Sequence, residues 1–244
     1  MARRIALVVA LTLSAYLVGD VALRTQSAES APPTHTAKRA VHKPSDRVKR
    51  AKPSTLIARI GRSVAVRSAP NGPVVGHLFT RTEFGSPQTL AVTRAVRGHL
   101  AVITTTVPNG HVGWVDRAAL RFTRTHVSLD VDLSTHVLRV RNGNRVVRRM
   151  RVGIGAPGTS TPTGRFAITD KLNGAAYSPV YGCCILALSG HQTNLPRGWT
   201  GGDRLAIHGG SLGAVSTGCL HAATADLHYL MRSIPLGAQI TIHP

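Results

Sequence analysis

The chain has 244 residues, 43% hydrophobic but only 4% aromatic, with 24 glycines, 14 prolines and a net charge of +20. That length allows one large or two small domains plus a tail, and the glycine and proline content favours short strands and many turns over long helices. The charge is spread rather than gathered in a tail: residues 1–56, 57–122 and 123–244 carry ten Lys/Arg against three Asp/Glu, eight against two, and twelve against five. An even positive field suits a polyanionic neighbourhood such as anionic cell-wall polymers. With no zinc-finger pattern, RNP-like aromatic pair or base-reading basic helix, nucleic acid is not expected as a partner.

The N-terminal stretch "MARRIALVVALTLSAYLVGDVAL" sets Arg3 and Arg4 before an apolar run from Ile5 to Val18. A run of this length matches a secretory h-region and is short of the ~20 residues of a full membrane span. Residues 1–23 read as a signal peptide or an uncleaved membrane anchor. Either one places the remainder outside the cytoplasm, in the cell envelope. The competing reading, a buried core helix, fits poorly because the adjoining stretch is too polar to pack on it. Residues 24–56 contain few apolar side chains, four prolines and many basic residues. Such a segment cannot bury enough surface to offset its ordering entropy, so it is expected to be a disordered linker.

From residue 57 short β-branched runs alternate with turn signals. "VAVRSAPNGPVVG", "RTEFGSPQTLAV" and "GHVGWVDRAAL" are spaced as strands of a small β-barrel. These stretches resemble the bacterial SH3-like domains of envelope proteins. The likeness implies a wall-binding or wall-orienting module over residues 57–122, with a plain spacer as the alternative.

A second β-rich region, residues 123–244, opens with "HVSLDVDLSTHVLRVRNGNRVVRRMRVGIG". It reads as three strands with Asn142-Gly143 as the hairpin signal. "GAPGTSTPTGRF" is a glycine and proline loop running into a strand, and "YGCCILALSG" and "RLAIHGG" are further strands. The helical pattern that stands out is late: Thr224 is expected as N-cap, with Leu227, Leu230, Met231 and Ile234 on one face and Pro235 and Gly237 as stops. The whole chain is therefore expected to be mainly β, with one main helix. Cys183 and Cys184 fall in a strand pattern, where neighbours face opposite ways. They are expected as unbonded thiols without a catalytic role. An odd cysteine count outside the cell leaves one thiol free for chemistry.

"LAIHGGSLGAVSTGCLHAA" holds that chemistry. His208 ends a strand, glycines open the connection, and Cys219 comes eleven residues later, just ahead of the helix. A thiol with a base nearby and free backbone N–H groups around it has the parts of a nucleophilic catalyst. Proximity to a helix N-terminus is expected to lower its pKa and to supply oxyanion donors. A zinc site from Cys219, His221 and His208 is rejected on spacing, since no Cys-x-x-Cys partner exists.

Here the residues resemble a family. "IHGG…VSTGCLHA", the "TPTGRF" loop, the opening strands and the closing "IPLGAQITI" look like the L,D-transpeptidase catalytic domain (YkuD-type), over about residues 125–243. The resemblance implies a β-sandwich domain and a cysteine acyltransferase that needs no cofactor or metal. It would act on tetrapeptide stems of peptidoglycan and form 3→3 crosslinks through a thioester. It makes Cys219 the nucleophile and His208 the base, with Ser216 and Gly218 shaping the turn and the N–H groups of Gly218 and Cys219 forming the oxyanion hole. Thr217, His221, Gly209 and Tyr181 fall at substrate-contact positions. Thr217 stands where the signature often has histidine, His221 where it has arginine or asparagine, and the spacer between His208 and Ser216 is seven residues, shorter than typical. These departures leave two alternatives, an L,D-carboxypeptidase on the same stems and a wall-binding protein without activity. Tyr177 and Tyr181 lie in the region the family uses as a lid. His77, His99, His111 and His191 are expected at the surface or in the lid.

Overall fold

Turn residues divide residues 55–125 into seven short strands. β1 (Thr55–Ile60), β2 (Val64–Arg67), β3 (Val74–Leu78), β4 (Thr89–Val96), β5 (His99–Ile103), β6 (Gly113–Asp116) and β7 (Leu120–Thr125) form one antiparallel sheet in the order β3-β2-β6-β5-β4-β1-β7. The computed structural model describes residues 52–244. The expected leader, and all of the expected linker except its last five residues, lie outside them. Thr55 and Leu56, expected as linker, open β1. β-Branched and aliphatic residues at alternating positions, among them Ala58, Ile60, Val64, Val66, Leu100 and Val102, turn inward to form a core of their own.

The second sheet has eight strands. β8 (Val127–Asp132), β9 (Val137–Asn142) and β10 (Arg145–Arg151) are the meander expected from the alternation. The hairpin turns on Gly143-Asn144, one residue later than Asn142-Gly143, because Asn142 itself pairs with Arg145. Next in the chain come β11 (Ile154–Gly155), β12 (Gly164–Asn173), β13 (Cys184–His191), β14 (Arg204–His208), β15 (Ala214–Ser216), β16 (Leu220–His221), α1 (Thr224–Ser233) and β17 (Gln239–His243). The sheet order is β10-β9-β8-β17-β12-β13-β14-β16, with β11 and β15 as a separate parallel pair. Leu227 and Leu230 of α1 are fully buried with Leu186, Leu188, Ile207 and Phe166. The fold is mainly β with α1 as its one α-helix among the described residues. No described helix is long and apolar enough to cross a membrane.

Three sequence expectations change. Thr224 is the first helical residue rather than the N-cap; Ala223 holds that place, with no side-chain cap. Its extended backbone already accepts the N–H groups of Asp226 and Leu227 through its carbonyl. Cys183 and Cys184 are bonded to each other. β13 begins at Cys184, and Cys183 lies in the turn after Gly182 (φ 66°), so the strand alternation that separates neighbouring side chains does not apply to it. Cys219 is separated from α1 by β16, which takes its N–H groups away from the helix N-terminus.

The two sheets pack within one compact unit. Ala91 and Ile103 of the first bury Ala167 of the second. The Thr82 hydroxyl donates to Asp170 Oδ1 at 2.5 Å. Asn109 brackets the His191 backbone, donating to its carbonyl at 2.6 Å and accepting its N–H at 2.9 Å. The His191 ring lies 2.9 Å from Asp203 and 3.0 Å from the Thr105 carbonyl. His191 is thus a seam residue as much as a surface one.

Candidate functional site

Strand register assembles the site. β14 pairs antiparallel with β13, setting His208 opposite Ile185, and parallel with β16, setting His208 beside His221. Between β14 and β16 the chain runs out through Gly209 and Gly210, returns along β15, and turns at 217–219. A Cβ at Gly210 (φ 149°) would come 2.5 Å from His221 Nδ1, so only glycine lets the loop pass over that ring. Cys219, His208, Ser216, Thr217, His221 and Tyr181 all line one cavity of about 430 Å³. Gly209 and Gly218 are not among its lining residues.

His208 is buried, with its Nδ1 2.7 Å from the Gly209 carbonyl. A carbonyl can only accept, so Nδ1 carries the proton and Nε2 keeps a lone pair. Tyr181 stands edge-on to the imidazole at 4.9 Å between centroids, and the His221 ring lies at 4.7 Å. Burial pushes the His208 pKa from 6.5 down to about 4; the Gly209 carbonyl opposes this and His221 adds to it. His208 is neutral at pH 7. The Cys219 thiol lies 4.0 Å from the Arg204 carbonyl, and burial raises its pKa. That is opposite to the lowering expected from a helix start, and its reason is the loss of the helix N–H groups and the withdrawal from water.

The turn carrying Cys219 is tied from three sides. Ser216 Oγ donates to the Cys219 carbonyl at 2.5 Å and accepts the Gly218 N–H at 3.1 Å. The Gly218 N–H is therefore engaged, while among the described residues the Cys219 N–H has no protein partner. The "TPTG" loop arrives through the β11–β15 pair: Thr159 Oγ1 donates to the Ser216 carbonyl at 3.0 Å and the Ala156 N–H to the same oxygen at 2.8 Å. Gln192 closes the ring. Its buried amide nitrogen lies 3.1 Å from the Thr159 and Ser160 carbonyls and 3.2 Å from that of Thr217. Gly218 (φ 105°) leaves the space this amide occupies.

Three lining residues were missed in the sequence. Gln192 lies in a polar stretch without periodicity. Phe84 comes from the connection between β3 and β4, far away along the chain, and meets Tyr177 edge-on at 6.3 Å. Arg204 looks like an ordinary strand-opening basic residue. Its guanidinium is in fact mostly withdrawn from water, held by Glu83, Thr169 (2.8 Å) and the Leu188 carbonyl (2.5 Å), with the Phe84 ring 5.7 Å away. Burial lowers its pKa to about 10, which leaves it charged. Any residue-type signal was absent in each case, since exposure and partners decide the role. Cys183, Cys184 and His228 converge to within 4.8 Å, but the two sulfurs are bonded to each other and cannot ligate a metal as thiolates.

Fold and cavity define a class: a mainly β protein with a neutral imidazole at the end of β14 and a thiol in the turn before β16, both lining one cleft. Residues 126–242 match the L,D-transpeptidase catalytic domain family (YkuD). Among solved structures, the chain is similar to Bd1075 of Bdellovibrio bacteriovorus (23% identity over 49% of this chain and 48% of that one, TM-score 0.39). It is also similar to L,D-transpeptidase 1 of Mycobacterium tuberculosis (17%, 55% and 77%, TM-score 0.36) and to an L,D-transpeptidase of Mycobacterium smegmatis (14%, 77% and 99%, TM-score 0.39). The chain spans about half the length of the Bdellovibrio protein. No curated protein matches the sequence.

Proposed function

We propose that the protein is an envelope L,D-transpeptidase that joins peptidoglycan stems through a Cys219 thioester. What carries this reading is the family match over residues 126–242 together with a single cavity lined by both Cys219 and His208. The Cys219 thiol passes its proton to His208 Nε2 as sulfur attacks the carbonyl after the third stem residue. The C–N bond breaks, and the terminal D-amino acid leaves with the proton from His208. An acceptor amine then attacks the thioester carbonyl, giving its proton to His208, and the sulfur leaves and is reprotonated. The free Cys219 N–H is the oxyanion donor this reading favours; the Gly218 N–H would first have to leave Ser216. Thr217, His221 and Tyr181 border the bound stem. The first sheet is taken as an SH3-like module that holds the enzyme to the wall. Preceding residues 1–23 would export or anchor the chain.

Incubation of the full chain with tetrapeptide stems is expected to give 3→3 dimers and free D-amino acid. Intact mass after carbapenem exposure is expected to show one adduct, absent from Cys219→Ala. Equal labelling of both proteins would sink the role of Cys219. Released D-amino acid without dimers would make the enzyme an L,D-carboxypeptidase, and no turnover with retained wall binding would make it a binding protein.

A further inference from the structure

Two arginines face each other across the first sheet. Arg59 of β1 is the register partner of Arg121 of β7, so both side chains leave the same face. Like charges directly opposite destabilise an antiparallel pair. Arg81, from the connection between β3 and β4, completes the rim of a cavity of about 360 Å³ that these three arginines line together with Thr80. Among the described residues, no carboxylate lines it. The two acidic residues of 57–122 are occupied elsewhere: Glu83 binds Arg204, and Asp116 accepts the Ala118 N–H. Arg81 spends one N–H on the Gly85 carbonyl at 2.6 Å, which fixes its loop and leaves the rest of its fork free. None of these residues lines the Cys219 cavity. A sheet that keeps an arginine pair beside a third arginine, with no ion-pair partner for them among the described residues, gives up stability at that point, a pattern that marks functional positions.

We propose that this pocket binds the phosphate groups of a phosphodiester-linked wall polymer. Guanidinium forks match the paired non-bridging oxygens of a phosphodiester, and a polymer repeats that charge, so successive groups keep the pocket filled. The ligand's identity rests on the envelope reading above; the binding chemistry does not. The pocket would hold the enzyme on the wall while the separate cleft engages stems.

The test measures binding of poly(glycerol phosphate) to the full chain, with chitin oligosaccharide, inorganic phosphate and duplex DNA as comparison ligands. The triple variant R59Q/R81Q/R121Q is set against R145Q/R149Q/R151Q, which removes three charges from the exposed edge of β10. The pocket triple is expected to weaken polymer binding by about tenfold or more, and the β10 triple by less than about threefold. Equal losses would reduce the effect to overall charge and overturn the site. Inorganic phosphate binding that the polymer cannot displace, or DNA binding as tight and as sensitive to the pocket triple, would overturn the polymer as ligand. R121E tests the premise without any ligand: a Glu opposite Arg59 is expected to raise the Tm in anion-free buffer and to abolish polymer binding. A lowered Tm would overturn the like-charge pair as a cost. Activity on soluble stems is measured alongside and is expected to be unchanged in the pocket triple; polymer binding by a chain inactive on stems would leave the site standing and remove the transpeptidase reading.

Discussion

Burial moves the protons of His208 and Cys219 in opposite senses, and both shifts favour the uncharged form. The resting pair is thus thiol and imidazole rather than thiolate and imidazolium. Alkylation of Cys219 by iodoacetamide is expected to climb through the alkaline range with no plateau between pH 5 and 7. A plateau there would show a preformed ion pair. His208 also links stability to pH. In the unfolded chain it takes up its proton near 6.5, in the fold near 4. Stability is full above 6.5 and falls as the pH drops through that window, by up to roughly 3 kcal/mol. Acid titration of Tm in wild type against His208→Gln measures it, the variant losing that part of the slope. Both residues were legible as types at a spacing. Their protonation was not, because it depends on burial, and the helix expected to charge the thiol stands beyond β16.

At the scale of elements, the turn carrying Cys219 and the "TPTG" loop are held together by one amide. Gln192 gathers the carbonyls of Thr159, Ser160 and Thr217. Gln192→Leu keeps the volume but leaves those partly buried acceptors without this donor, at about 1–3 kcal/mol. The expected outcome is a Tm lower by several degrees and a kcat reduced more than KM is raised, since the turn loosens while the cleft walls remain. Unchanged kcat would reduce Gln192 to packing. The loop and the turn were each visible as glycine-rich patterns. Their joining was not, because Gln192 comes after β13 in a stretch that reads as lid.

At the scale of the whole molecule, the connection between β3 and β4 reaches into the cleft. Phe84 lines the cavity, and its neighbour Glu83 binds Arg204 beneath it. Phe84→Ala opens the cleft there and is expected to raise KM for stems severalfold with little change in kcat, checked by steady-state kinetics. Equal kinetics would make the first sheet a spacer for catalysis. The seam also contains Asp170, fully buried, whose Oδ2 has no partner among the described residues and whose Oδ1 takes the Thr82 hydroxyl. Thr82→Val strips that remaining bond from a carboxylate already short of partners. It is expected to lower the Tm by more than a surface Thr→Val exchange such as Thr123→Val, because the uncompensated group stays buried.

Local order needs only neighbours in sequence. Alternation, turn residues and one amphipathic run were therefore enough to read a mainly β chain, the β8–β10 meander, the late helix and the pairing of His208 with Cys219 as candidates. Effects that depend on what water can reach, or on which distant strand lies alongside, needed the tertiary structure. It decided the Cys183–Cys184 bond, since a turn rather than a strand holds Cys183. It decided the neutral His208 and Cys219, since both are largely withdrawn from water, and the roles of Gln192, Arg204 and Phe84. It also set Arg59 against Arg121, because register across a sheet is fixed by packing far from either residue.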